Sequence, residues 1–143
     1  MTEQKYKFLS TPRRPVEDRR FVAGRGKFIA DLDRPNMLHV APLASHHAAA
    51  VINGIDASAA LAMPGVVDVI TGAELAAAVQ PLMNGLNTPN VRRFPLAVDR
   101  VRYAGEWVCA VVAESRALAE DALEKINVDA TPQPFILDAE AAL

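Results

Sequence analysis

WVCAVVAESRALAEDALEKINVDA (residues 107–130) holds the change of hydrophobic period on which the fold turns. Over residues 107–113 both alternating faces are apolar, Val108, Ala110 and Val112 on one and Cys109, Val111 and Ala113 on the other, as a strand covered on both sides requires. Ser115 is placed to accept a backbone N–H and open a helix, RALAEDALEKI. In that helix Leu118, Ala119, Ala122, Leu123 and Ile126 form one apolar stripe, while Glu120, Asp121, Glu124 and Lys125 face water. NVDA returns to a strand. A central strand and the helix that follows it therefore define the centre of the domain.

Working outward, MLHVAPLAS (37–45) and AAVINGID (49–56) read as two strands separated by His46-His47. Asp56 caps a short helix that the Met63-Pro64-Gly65 ending stops. VVDVIT (66–71) is a buried strand running into Thr71-Gly72-Ala73-Glu74, the spacing of a capping box that opens a helix over 72–79. QPLMNGLNTPNVRRFP (80–95) has no consistent period and reads as a long loop, of the kind that usually has a task in a compact domain. PFIL (134–137), short and flanked by proline, reads like NVDA as an edge strand. The expected architecture is α+β: a small mixed sheet packed with about three helices, preceded by an extended N-terminal arm.

The chain of 143 residues, 51% hydrophobic and 22% charged, suits one compact domain at 21–143 behind a basic arm at 1–20. In the arm Lys5, Lys7, Arg13, Arg14, Arg19 and Arg20 stand against Glu3, Glu17 and Asp18, a local charge of +3 that leaves −5 for the rest of a chain with net charge −2. No basic face or stripe marks a nucleic-acid partner. No run reaches the roughly 18 apolar residues of a membrane span. The paired arginines lack the apolar stretch of an export signal, because Arg25, Lys27 and Asp31 interrupt the residues after them. A single cysteine, Cys109, excludes an internal disulfide and suits a reducing compartment. The expected location is the cytoplasm.

Candidate chemistry is thin. His46 and His47 are consecutive, so on a strand they project to opposite faces, and His39 is the only other histidine. A metal site or a triad built on Ser45 and His47 is not supported; a hydrogen-bonded histidine at a strand end is the expected state. GRGKFI (24–29) begins like a dinucleotide fingerprint, but Ile29 stands where a third glycine is needed, so Gly24, Arg25 and Gly26 read as a tight turn. Gly105-Glu106 reads as a turn with an exposed glutamate, and Trp107 as a core or interface residue. No catalytic, metal-ligating or cofactor-binding residue is expected on this chain.

Three segments in order carry a resemblance over residues 16–143. They are VEDRRFVAGRGKFIADLDRPNMLHVAPLASHHAAAVINGID, then MPGVVDVITGAEL, then PLAVDRVRYAGEWVCAVVAESRALAEDALEKINVDATPQPFILDAEAAL. Together they closely resemble the N-terminal α/β hammerhead domain of the molybdenum-binding large subunit in the xanthine dehydrogenase, aldehyde oxidase and aerobic carbon monoxide dehydrogenase family. Two departures stand out. In the family's Ser-Pro-His-Ala-His-Ala run, Ser45 and His47 match the serine and first histidine, His46 replaces the proline and Ala49 the second histidine. The family's Gly-Glu-Pro-Val-Ala turn is Gly105-Glu106-Trp107-Val108-Cys109 here.

The resemblance implies a hammerhead that is catalytically silent by itself, since the family's pterin–molybdenum centre and catalytic glutamate lie in later domains. It implies a molybdenum-binding catalytic subunit as partner, with iron–sulfur and flavin (FAD) subunits carrying electrons. The assembled enzyme would oxidise an aldehyde, an N-heterocycle or carbon monoxide. An initial methionine and a family-like arm lead us to expect a separately encoded subunit rather than an excised domain. A free-standing binding or regulatory module that reuses the fold is the alternative. The expected contact regions are the arm and following turn (1–28, with Arg19, Arg20, Gly24, Arg25 and Gly26), the loop 80–95 and the Gly105-Glu106-Trp107 turn. Ser45 and His47 are expected to be structural.

Overall fold

A computed structural model describes residues 15–82 and 92–142, and the chain divides into two compact units, Met1–Pro35 and Asn36–Leu143. In the first unit a short helix α1 (Asp18–Val22) is followed by a single 3₁₀ turn (Ile29–Asp31). The Gly24 and Arg25 N–H groups donate to the carbonyls of Phe21 and Arg20, ending the helix, and the chain then brings Phe28 back onto Phe21 with ring centroids 5.4 Å apart. Gly26 leaves the space that the Phe21 ring occupies; a Cβ there would collide with the ring. GRGKFI is thus the reversal expected of it. The first helix was not foreseen: DRRFV is too short and too polar to show an apolar stripe.

The second unit contains β1 (His39–Ala44), β2 (Ala50–Asp56), α2 (Ser58–Leu61), β3 (Val66–Thr71), α3 (Gly72–Ala78), β4 (Arg100–Val101), β5 (Trp107–Ala113), α4 (Arg116–Leu123) and β6 (Asn127–Pro132). The α+β class holds, but the strands form two antiparallel three-stranded sheets rather than one mixed sheet, ordered β1-β5-β3 and β4-β2-β6. The strand readings at 37–45, 49–56, 66–71, 107–113 and 127–130 each correspond to a strand here. PFIL does not. Phe135, Ile136 and Leu137 form no strand and are exposed, because the ladder with β2 ends at Pro132 and the last tie is the Gln133 N–H to the Ala49 carbonyl. The two-residue β4, too brief to show a period, was hidden within the LAVDRVRYAGE stretch.

β5 is the central strand of its sheet, and Val108, Cys109 and Val111 are its largest fully buried side chains. Helix α4 packs against all three strands of this sheet with Ala119 and Ala122 at the contact, small residues that let helix and sheet approach closely. Ala50 and Val101 of the other sheet join the same core, and Ile52, Ile55, Val128 and Ala130 pack on its edge. Burying each valine of this set contributes roughly 1.5–3 kcal/mol. Where the β2–β6 register slips between Ile52 and Gly54, the Asn53 amide spans the irregularity, donating to Asp129 (3.2 Å) and Thr131 (2.9 Å) on the opposite strand.

The caps of α3 and α4 match the sequence reading, whereas the N-cap of α2 is Ala57 and Asp56 lies one residue ahead of it. Ser115 Oγ accepts the Leu118 N–H at 3.2 Å. Asp56 Oδ1 accepts the Ser58 N–H at 3.0 Å. At the start of α3 the Thr71 hydroxyl oxygen accepts the Glu74 N–H at 3.4 Å, and Glu74 Oε2 accepts the Thr71 N–H at 2.8 Å. That last bond, reinforced by the Thr71 hydroxyl, holds the Glu74 carboxyl below its ordinary value. A carboxyl shifted this way stabilises the fold above the unfolded-state pKa and loses the contribution as pH falls through the lower folded value. Acid unfolding should therefore begin at higher pH in wild type than in Thr71→Val, Glu74→Gln, where this box no longer titrates, once both are normalised at neutral pH; circular dichroism between about pH 5 and 2 measures it.

Gly72 opens α3 directly against residues 97–98, where a Cβ would overlap the Ala97 carbonyl group. The backbone must move to admit it. Gly72→Ala should cost about 3 kcal/mol in urea unfolding, the upper range for overpacking, despite the better helix propensity of alanine.

Candidate interface around the Gly105 turn

Residues 102–107 turn the chain from the short β4 into β5. Gly105 sits at φ +89°, a conformation that residues with a Cβ rarely adopt. The Glu106 N–H closes the turn on the Tyr103 carbonyl at 3.2 Å. Two further backbone bonds clip it to the end of β1: the Gly105 N–H donates to the Ser45 carbonyl and the Ser45 N–H to the Glu106 carbonyl, each at 2.9 Å. The Ser45 hydroxyl in turn accepts the His47 N–H at 3.1 Å. Ser45 and the Gly105-Glu106 pair, sixty positions apart in sequence, are thus joined through the backbone.

Glu106 is not the exposed turn glutamate expected from sequence. Its side chain is only 13% exposed and folds back over the turn, accepting the Arg102 N–H at 2.5 Å and lying 3.8 Å from the Arg102 guanidinium. The same guanidinium reaches Asp99 at 3.6 Å, and Arg100 meets Asp99 at 3.3 Å. The reversal brings the carboxylate back onto the Arg102 N–H, which a linear reading cannot anticipate. Trp107, the first residue of β5, is half-exposed, and its carbonyl accepts the Ala97 N–H at 2.7 Å. Beneath the turn lies an open hollow of about 800 Å³ walled by Arg92, Arg93, Phe94, Tyr103, Glu106 and Trp107. Arg92 and Arg93 of this wall fall within the loop 80–95 expected to make contacts, whereas Tyr103 was not singled out in the sequence. The Arg102–Glu106 spacing of four was the available signal, masked because this segment is not helical.

Of the other candidates, Arg19 and Arg20 lie on α1, Arg20 paired with Glu17 and set 5.2 Å over the Phe21 ring, and Gly24, Arg25 and Gly26 follow it. These belong to the first unit. Of the long loop 80–95, residues 83–91 lie outside the described residues, as do residues 1–14 of the basic arm; Leu82 and Arg93 pair across the loop's base. His46 and His47 are both exposed, and His47 is bonded through its backbone, not as a buried ring. Among the described residues no group of three or more His, Cys, Asp or Glu side chains is placed to hold a metal ion. Burial pushes the Cys109 thiol up to about 11, which makes it a poor nucleophile.

Residues 23–134 match the aldehyde oxidase and xanthine dehydrogenase a/b hammerhead domain. The chain belongs to that family. It is 38% identical to the nicotine 6-hydroxylase large subunit of Paenarthrobacter nicotinovorans over 90% of its own length and 16% of the relative's. To the carbon monoxide dehydrogenase large chain of Afipia carboxidovorans it is 36% identical, over 98% of this chain and 17% of that one. The crystal structure of quinoline 2-oxidoreductase from Pseudomonas putida 86 superimposes with a TM-score of 0.82 at 42% identity, covering 89% of this hammerhead chain and 16% of the other. The hammerhead chain therefore spans about a sixth of the length of these relatives.

Because the His47 ring is exposed and Ser45 makes the bond, the two positions should separate in urea unfolding. His47→Ala should change stability by no more than about 0.5 kcal/mol, the usual range for a surface change. Ser45→Ala should cost about 1 kcal/mol for the lost hydrogen bond.

Proposed function

We propose that this chain is the non-catalytic hammerhead part of a molybdenum hydroxylase, serving as a separately encoded subunit or as a domain, and that it completes a large molybdenum-binding chain. One observation carries the reading: a hammerhead match over residues 23–134 in a chain spanning 16–17% of large subunits named as a hydroxylase and a dehydrogenase. The reaction of the assembled enzyme is oxidation of an aldehyde, an N-heterocycle or carbon monoxide, and the work is done in the cytoplasm. No helix among the described residues is long and apolar enough to cross a membrane.

The donor chemistry of the described residues does not fit the redox groups themselves. Iron–sulfur clusters are held by sets of cysteine thiolates, whereas Cys109 is the single cysteine and is buried in β5. A metal centre needs converging His, Cys or carboxylate ligands, and the described residues bring none together in threes. On this reading the molybdenum–pterin cofactor, the iron–sulfur clusters and FAD belong to partner chains, and this chain supplies surface.

Purification of a tagged chain from its native host at physiological salt tests the proposal. It should elute in fixed stoichiometry with a large chain containing molybdenum and pterin, by metal analysis and pterin fluorescence. The tagged chain alone should reduce no dye with an aldehyde, an N-heterocycle or carbon monoxide. Elution as a lone monomer without a molybdenum-containing partner would replace this reading with a free-standing module.

A further inference from the structure

We propose that the hollow beneath the Arg102–Trp107 turn seats an extended segment of the large molybdenum-binding chain that carries a carboxylate beside an apolar side chain. The inference rests on the hammerhead reading above and specifies the chemistry of one contact in it.

Size and wall set the class of occupant. A volume of about 800 Å³ suits a few side chains of an extended segment rather than a flat contact. Phe94, Tyr103 and Trp107 give it an aromatic wall, and Tyr103 and Trp107 remain 57% and 50% exposed. Aromatic and arginine side chains are the usual anchors of protein interfaces.

Charge sets its sign. Among the residues lining the hollow, Arg92, Arg93 and Arg102 stand against Asp99 and Glu106, a local charge of +1 in a chain of net charge −2. The two carboxylates are already engaged within the turn, Asp99 by Arg100 and Arg102, and Glu106 by the Arg102 backbone and guanidinium. The field at the hollow is therefore positive and favours an incoming carboxylate, which a planar guanidinium can hold through two parallel N–H donors.

Rigidity favours a permanent partner. The turn is clipped to Ser45 by two backbone bonds, and Trp107 leads directly into the buried stretch Val108–Val111 of β5. Little ordering is left to be done on binding, which lowers its entropic cost. A second copy of this chain is the rival occupant, because its exposed Phe135-Ile136-Leu137 run followed by Asp138 and Glu140 has similar chemistry. The large chain is favoured because the relatives carry this domain as 16–17% of a single polypeptide.

The complex with the large chain from the same host provides the test, titrated at several potassium chloride concentrations. Trp107→Ala should weaken assembly by about 30-fold or more and Trp107→Phe by only about fivefold, as for a buried aromatic anchor. Arg93→Glu should weaken it by about tenfold or more at low salt and flatten the salt dependence. Thermal melts should show every variant alone folded at the assay temperature, with Arg93→Glu matching wild type because that side chain is exposed. A photoreactive phenylalanine in place of Tyr103 should crosslink to a segment of the large chain containing Asp or Glu next to an apolar residue. If the wild-type complex forms and every variant binds within twofold of it, the hollow proposal fails while the hammerhead reading stands. Crosslinks confined to a basic segment, or to residues 134–142 of a second copy, overturn it equally. If wild type forms no complex with the large chain, the hammerhead reading itself fails.

Discussion

The burial of β5 on both of its faces is the constraint on which the rest of the unit depends. Val108, Cys109 and Val111 are inaccessible to water, so the strand needs a partner strand on each edge and cover on each face. β1 and β3 satisfy its backbone groups, and α4 lies on the sheet through Ala119 and Ala122. The second sheet contributes Ala50 and Val101 to the same core. An unpaired N–H or C=O at this depth would cost about 1–3 kcal/mol, so the strand order follows from satisfying them all.

The same constraint carries the candidate interface. Because Trp107 is the first residue of β5, the turn before it inherits the rigidity of the core, and the Ser45 clip extends that rigidity to the end of β1. A left-handed Gly105 lets the chain reverse tightly enough for Glu106 to fold back onto Arg102. The product is a firm rim with an aromatic and cationic wall.

His46 and His47 show why a conspicuous pair is not by itself a site. Consecutive positions diverge in space, and both rings emerge into solvent just past the end of β1. The neighbouring Ser45, far less conspicuous, makes the contacts that organise the segment. His46, which stands where the family has its proline, is therefore surface, while Ser45 and its backbone pairing with the Gly105 turn are architecture.

Sequence alone determined the features that depend on neighbours in the chain. The alternation of 107–113, the Ser115 and Thr71–Glu74 caps and the α4 stripe were all legible, because strand pleat, helix pitch and capping act over a few residues. The ordered motifs likewise carried the family. Only tertiary structure decided how the strands divide into two sheets, that PFIL stays out of both, and that Glu106 is sheltered. Each of these turns on pairing between residues distant in sequence: β2 closes with β6 instead of continuing β1's sheet, the ladder stops at Pro132, and Ser45 holds the turn that encloses Glu106. Such pairings are selected by the burial and hydrogen bonding of the whole unit, and no local period encodes them.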